Sequence, residues 1–253
     1  MIVVYSPVDT PRLRFSLDVI FNAILNVDYT LVDDISAINP DSVHIVYATQ
    51  HKVDKALHIV PAGLLEESGI KEVTPAVRHG KLPVIFPLEQ GDLGFDLFAA
   101  VFFLVSRYEE YLPHKQDKHA RYSPEQSLAY KHEFLKRPIV DEWCILLREE
   151  LLKKYPKLSF PKRAFKHVVT IDVDTAFAYK GKGAVRTLGG FLKDLSGGDL
   201  SNAIDRFKAS LGLSPDPYDV FEWVLDKKRA FDFELIFFYL LGDYEMNDKN
   251  VSH

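Results

Sequence analysis

The sequence predicts an α/β protein in two parts: an N-terminal sheet domain over residues 1–160, and a second part, 161–253, built on parallel strands. Three observations carry this prediction. Short β-branched and aromatic runs bounded by Pro, Gly, Asp and Asn alternate with helical-period segments through the first 160 residues. Prolines and basic residues then interrupt the pattern between Tyr155 and Arg163, which marks a domain boundary. Beyond it two apolar strands, His167–Asp174 and Asp232–Leu241, flank two amphipathic segments, and a crossover of that length belongs to a parallel sheet or barrel.

The elements follow in order. Met1–Ser6 is apolar and β-branched and is closed by Pro7, so it reads as a strand. Pro11 opens a helix in which Phe15, Val19, Ile20, Ala23 and Ile24 recur at helical spacing. Tyr29–Val32, Val43–Ala48, Leu57–Val60 and Leu82–Phe86 are further strands of the sheet. Asp96 caps a helix expected to run to Leu112, apolar all round from Leu97 to Val105, with Arg107 and Glu110 placed to pair at i,i+3. Pro138 starts another helix, with Asp141 and Glu142 in its first turn and Lys153 and Lys154 at its end. Its stripe of Val140, Trp143, Cys144, Leu147 and Leu151 makes Cys144 core filler rather than a nucleophile. In the second part, helices are expected over Asp199–Leu211 and Pro217–Lys228.

Composition excludes several classes of function. A chain of 253 residues with 47% apolar and 26% charged residues has the composition of a globular protein. The single cysteine excludes an internal disulfide framework and a multi-thiolate metal site. With net charge −5, no basic stretch is long enough to neutralise a nucleic-acid backbone, so nucleic acid is not an expected partner. The basic segment His114–Arg137 is interrupted by Asp117, Glu125 and Glu133 and reads as a solvated face. The apolar run Leu97–Val105 falls far short of the ~18 residues that span a bilayer, and the start of the chain resembles no signal peptide. The expectation is a soluble, cytoplasmic protein with no membrane partner.

The chemistry-bearing residues are Thr170-Ile171-Asp172-Val173-Asp174. Strand side chains alternate, so Asp172 and Asp174 share a face with Thr170 while Val169, Ile171 and Val173 share the other. Their Cβ atoms would lie about 6–7 Å apart, given about 3.3 Å of rise per residue. Two carboxylates at the carboxyl end of a parallel strand stand where α/β folds place active sites. Strand-end aspartates that merely cap a loop are the simpler alternative. After them, Lys180-Gly181-Lys182-Gly183 reads as a surface loop or as a basic loop over the cleft, Lys180 and Lys182 being candidate substrate contacts.

This strand resembles the first motif of the polysaccharide deacetylases (carbohydrate esterase family 4) in its Asp-x-Asp form. Ala176–Gly183 with Arg186-Thr187-Leu188-Gly189-Gly190, and the earlier Arg107-Tyr108-Glu109-Glu110-Tyr111-Leu112-Pro113, resemble a bacterial branch carrying an extra N-terminal domain. The resemblance implies a distorted (β/α) barrel over 161–253 and beyond, and a divalent metal, usually zinc. It also implies hydrolysis of an acetyl group on a carbohydrate substrate, with Asp174 as metal ligand and Asp172 as general base. The family completes its metal site with His-x-x-x-His, and none of the nine histidines here are four apart. The expectation is therefore a chain truncated inside its catalytic domain, inactive alone, with His253 at its very end.

Two other readings stand beside it. A haloacid-dehalogenase-like phosphatase also ends a strand in Asp-x-Asp and would use Asp172 as nucleophile. It calls for Thr or Val where Ala176 stands. Alternatively residues 1–160 form a non-catalytic module that binds a glycan or a partner.

Overall fold

A computed structural model describes residues 1–239 apart from 40–41, 51–52, 163, 182, 184–186, 193–196 and 198–199. The chain divides into two compact units, Met1–Lys162 and Arg163–His253. The fold is mixed α/β.

The first unit is built on a parallel sheet in the order β2-β1-β3-β4, formed by β1 (Ile2–Tyr5), β2 (Tyr29–Val32), β3 (Val43–Tyr47) and β4 (Leu57–Ile59). Ile2 stands opposite both Tyr29 and Val43, and Ile45 opposite Leu57. A parallel sheet must cover both faces. Ile2, Val4, Ile45, Tyr47, Leu57 and Ile59 point into the main core, while Tyr5, Val46, Ala48 and Ala56 form a smaller one roofed by Val32, Ile35, Ile38 and Val53.

Helices supply the main core's other half. In α1 (Pro11–Leu17) the Thr10 hydroxyl accepts from the Leu13 N–H, and the helix continues as a π-helix over Asp18–Leu25. That stretch ends where Asn26 turns left-handed, at φ 51°. Asn tolerates this conformation better than most side chains. The helix α2 (Leu97–Val105) packs on α1, where Phe15 and Phe102 meet edge to face at 6.0 Å.

The expected helix over 96–112 is shorter in the structure. After Ser106 the backbone of Arg107 turns left-handed, at φ 54°, and a 3₁₀ turn follows over Tyr108–Tyr111. That reversal returns Tyr108 to the core, 1% exposed, with its ring 5.6 Å from that of Phe103. Its hydroxyl donates to the Lys71 carbonyl (3.0 Å) and accepts the Lys71 N–H (2.9 Å). Arg107 and Glu110 do form their ion pair.

Leu82–Phe86 also departs from expectation. It does not join the sheet: β5 (Val77–Arg78) and β6 (Val84–Ile85) form a separate antiparallel pair. The residues between them close a turn, which a parallel connection could not do in so few residues.

A short helix α3 (Leu128–Lys131) precedes α4 (Ile139–Lys154). Trp143, Cys144, Leu147 and Leu151 of α4 are fully buried, and the Trp143 indole N–H donates to the Pro83 carbonyl at 2.9 Å. The acidic first turn and basic last turn of α4 match the polarity of the helix dipole.

The second unit contains β7 (Val168–Val173), α5 (Leu200–Ser210), α6 (Phe221–Ala230) and β8 (Glu234–Tyr239). β7 and β8 pair in parallel from Val168 opposite Glu234 to Val173 opposite Tyr239. The last helix begins at Phe221 rather than at Pro217, because residues 217–220 are held in turns around the Asp216 carboxylate, which accepts the Tyr218 N–H. A barrel is not present in the described residues. Leu240, Leu241 and everything after them, His253 included, lie outside the described residues, as do Lys182 and Arg186.

Candidate functional site

Alternation along β7 places the two candidate carboxylates. Val169, Ile171 and Val173 are half-buried, whereas Val168, Thr170 and Asp172 are exposed, and β8 repeats the pattern with Leu235 and Phe237 against Glu234, Ile236 and Phe238. The half-buried face is packed by α6, whose Phe221 ring lies 5.6 Å from Phe237 and 6.4 Å from Tyr239. Asp172 therefore projects from the opposite, open face, beside its cross-strand neighbour Phe238. Asp174 stands just past the strand end and is also exposed.

Both aspartates border a cleft of roughly 490 Å³. It lies on the α6 side of the strands, walled by Phe221, Val224 and Phe237 with Tyr218, so its aromatic wall and the open face from which Asp172 projects are on opposite sides of β7. An apolar pocket with a few convergent polar groups is the usual form of a small-molecule site.

Sequence reasoning missed the residue that organises the neighbouring loop. Asp216 is 2% exposed, and its carboxylate accepts N–H groups from Ala178 (2.7 Å), Tyr179 (2.7 Å), Lys180 (3.0 Å) and Tyr218 (3.0 Å). Burial alone would raise its pKa, but the four donors outweigh burial and hold the carboxyl below its ordinary value. The available signal was Ser214-Pro215-Asp216-Pro217, an aspartate fixed between two prolines in a turn.

Lys180 is thereby held in this loop, and it borders a separate cavity of roughly 660 Å³ with Leu188, Phe191 and Phe207 rather than the aspartate cleft. Its ammonium lies 3.4 Å from Asp219 and 5.5 Å from the centre of the Phe177 ring. Lys182, the other basic candidate, is outside the described residues.

Among the described residues, no three His, Cys, Asp or Glu side chains cluster as metal ligands. Asp174 is the one candidate ligand placed here, and a catalytic zinc site takes three from the protein. The described residues do not fit a complete zinc site.

Fold and site together define an α/β protein with two strand-end carboxylates at the edge of an aromatic cleft. The chain belongs to a family of unknown function (DUF7033), whose model matches residues 2–156 and so ends ahead of β7. Neither a curated protein nor a solved structure matches it. Among the described residues, no helix is long and apolar enough to cross a membrane.

Proposed function

We propose that the second unit belongs to a hydrolase resembling the polysaccharide deacetylases, which removes acetyl groups from a sugar in the cytoplasm. One observation carries the reading: two carboxylates two residues apart at the carboxyl end of a strand paired in parallel, at the edge of a cleft. The open face of the β7–β8 pair supports it. Ile236 and Phe238 remain 42% and 53% exposed there, although strands of parallel sheets are ordinarily buried on both faces. In a (β/α) barrel that face is the interior, and further strands would cover it.

Asp174 would contribute one ligand to a divalent ion, with the remaining ligands supplied from outside the described residues. Such an ion would supply polarisation of the acetyl carbonyl. Asp172, adjacent on the same face, accepts a proton at its carboxylate from the attacking water.

The test is acetate release from an acetylated amino-sugar oligomer by the native gene product that carries this chain. The expected result is release that falls at least about a hundredfold in Asp172→Asn, the lower end of what a general base contributes. Absence of acetate release, or trapping of a phosphoryl group on Asp172, would overturn the reading, the latter in favour of a phosphatase.

A further inference from the structure

The first unit brings two histidines together from distant parts of the chain. His79 follows β5, and His132 is the residue that closes α3. The His132 Nδ1 lies 3.1 Å from the His79 Nε2, with ring centres 5.0 Å apart and planes inclined at 45°. The two residues are 53 positions apart in sequence, so tertiary structure makes this contact.

That separation suits a shared ion as well as a shared proton. With metal–nitrogen bonds of about 2.0–2.1 Å, two ligands on one ion stand about 2.9 Å apart at right angles and about 3.4 Å apart in a tetrahedron. The observed 3.1 Å falls between these limits. Imidazole suits zinc, nickel and copper, and it is a poor ligand for magnesium or calcium. His79 is exposed, which gives an ion an entry path. His132 also lines a polar cleft of roughly 290 Å³ with Glu72, Glu109, His114 and Lys131. A polar ligand seated there would have access to an open coordination position.

We propose that His79 Nε2 and His132 Nδ1 form a two-imidazole site for a divalent transition-metal ion. The remaining positions are filled by water, since no third side chain joins them among the described residues. Binding requires the proton of the pair to move, leaving His132 protonated on Nε2 and His79 on Nδ1. The ion then ties the turn between β5 and β6 to the end of α3. The site is independent of Asp172 and Asp174.

Calorimetric titration of the full chain with CuCl2, ZnCl2 and MgCl2 tests it. The expected result is saturable binding of one ion per chain at this site, tighter for Cu²⁺ than for Zn²⁺, with no response to Mg²⁺. Affinity is expected to fall at least tenfold in both His79→Gln and His132→Gln and to be unchanged in His119→Gln, an exposed histidine outside the pair. Circular dichroism checks that each variant is folded. The accompanying rise in Tm with metal should vanish in His79→Gln. Absence of saturable binding in the wild-type chain, or affinity retained by either histidine variant, would overturn the proposal.

Discussion

Asp96 offers the sharpest test of how this fold is held. Its carboxylate is fully buried and accepts the Ala99 N–H (3.0 Å) at the start of α2, the Ala62 N–H (2.7 Å) and the Tyr47 hydroxyl (2.9 Å). One side chain thus joins β3, the segment after β4 and α2. Removing it in Asp96→Ala costs about 1 kcal/mol for the lost cap. It also leaves the other two donors without their acceptor, at about 1–3 kcal/mol each. The total, about 3–7 kcal/mol, is comparable to the whole stability of a small domain, so this variant is expected to unfold the first unit.

Asp96→Asn is the more informative change, because it keeps an oxygen for Ala99 and removes the titration. The cost of replacing the Oδ2 that Ala62 and Tyr47 use by an NH2 does not vary with pH, so it cancels when two pH values are compared. Burial pushes the Asp96 carboxyl up to about 6 from 3.8, against the pull of the Ala99, Ala62, Tyr47 and Phe98 donors. The folded state therefore holds the proton more tightly than the unfolded state. This group's contribution to stability is full below pH ~4 and is lost as the pH rises through about 6. Between pH 4.5 and 7.5 the loss comes to about 2 kcal/mol, at 1.36 kcal/mol per pKa unit. Urea unfolding followed by Trp143 fluorescence reads it, since that indole is fully buried in the same unit. The difference in stability between wild type and Asp96→Asn should be about 2 kcal/mol larger at pH 4.5 than at pH 7.5. Equal differences at the two values would refute the claim that burial dominates this carboxyl.

Two further outcomes follow from the hydrogen bonds. Asp216→Ala releases the backbone of residues 178–180, so trypsin should cleave after Lys180 at least tenfold faster, and an unchanged rate would show that the loop is held by something else. Since that carboxyl is held below its ordinary 3.8, its contribution is present above pH ~4 and lost as the pH falls further. Tyr108→Phe keeps the buried ring but strands the Lys71 N–H and carbonyl; it should lower the stability of the first unit by about 1–2 kcal/mol in urea titration.

Much of the first unit was legible because periodicity reports burial. Tyr29–Val32 is a strand with the predicted bounds, and the buried stripe of α4 contains Trp143, Cys144, Leu147 and Leu151 as expected. The departures arise where local pattern gives way to tertiary demand. Arg107 carries no turn signal, and its left-handed backbone is explained only by the burial of Tyr108 that it permits. The apolar run at Leu82–Phe86 looks like any other strand, and only its short connection to Val77–Arg78 makes it antiparallel. At the site, the alternation that puts Asp172 on the open face was readable from the sequence alone. Asp216 was readable only as a turn residue between two prolines, since the N–H groups it holds at residues 178–180 lie more than 30 positions away.

The aspartates and the open face of β7–β8 share one physical implication. On that face the exposed groups are Val168, Thr170, Asp172, Glu234, Ile236 and Phe238, with Glu234 at the amino end of its strand, paired to Lys166, and Asp172 towards the carboxyl end among aromatic and branched apolar side chains. A solvated face would carry polar residues at most positions, and a plain core would carry no Asp. The mixture suits an interior wall that ends in a site, where apolar residues fill the lower layers and charged groups gather at the carboxyl ends of the strands. On that reading two features outside the described residues are linked: strands that would bury Phe238 would also carry further ligands beside Asp174. The converse is equally specific. If Ile236 and Phe238 remain water-exposed in the native gene product, no side chains converge on Asp172 from across the barrel, and the hydrolase reading loses its site.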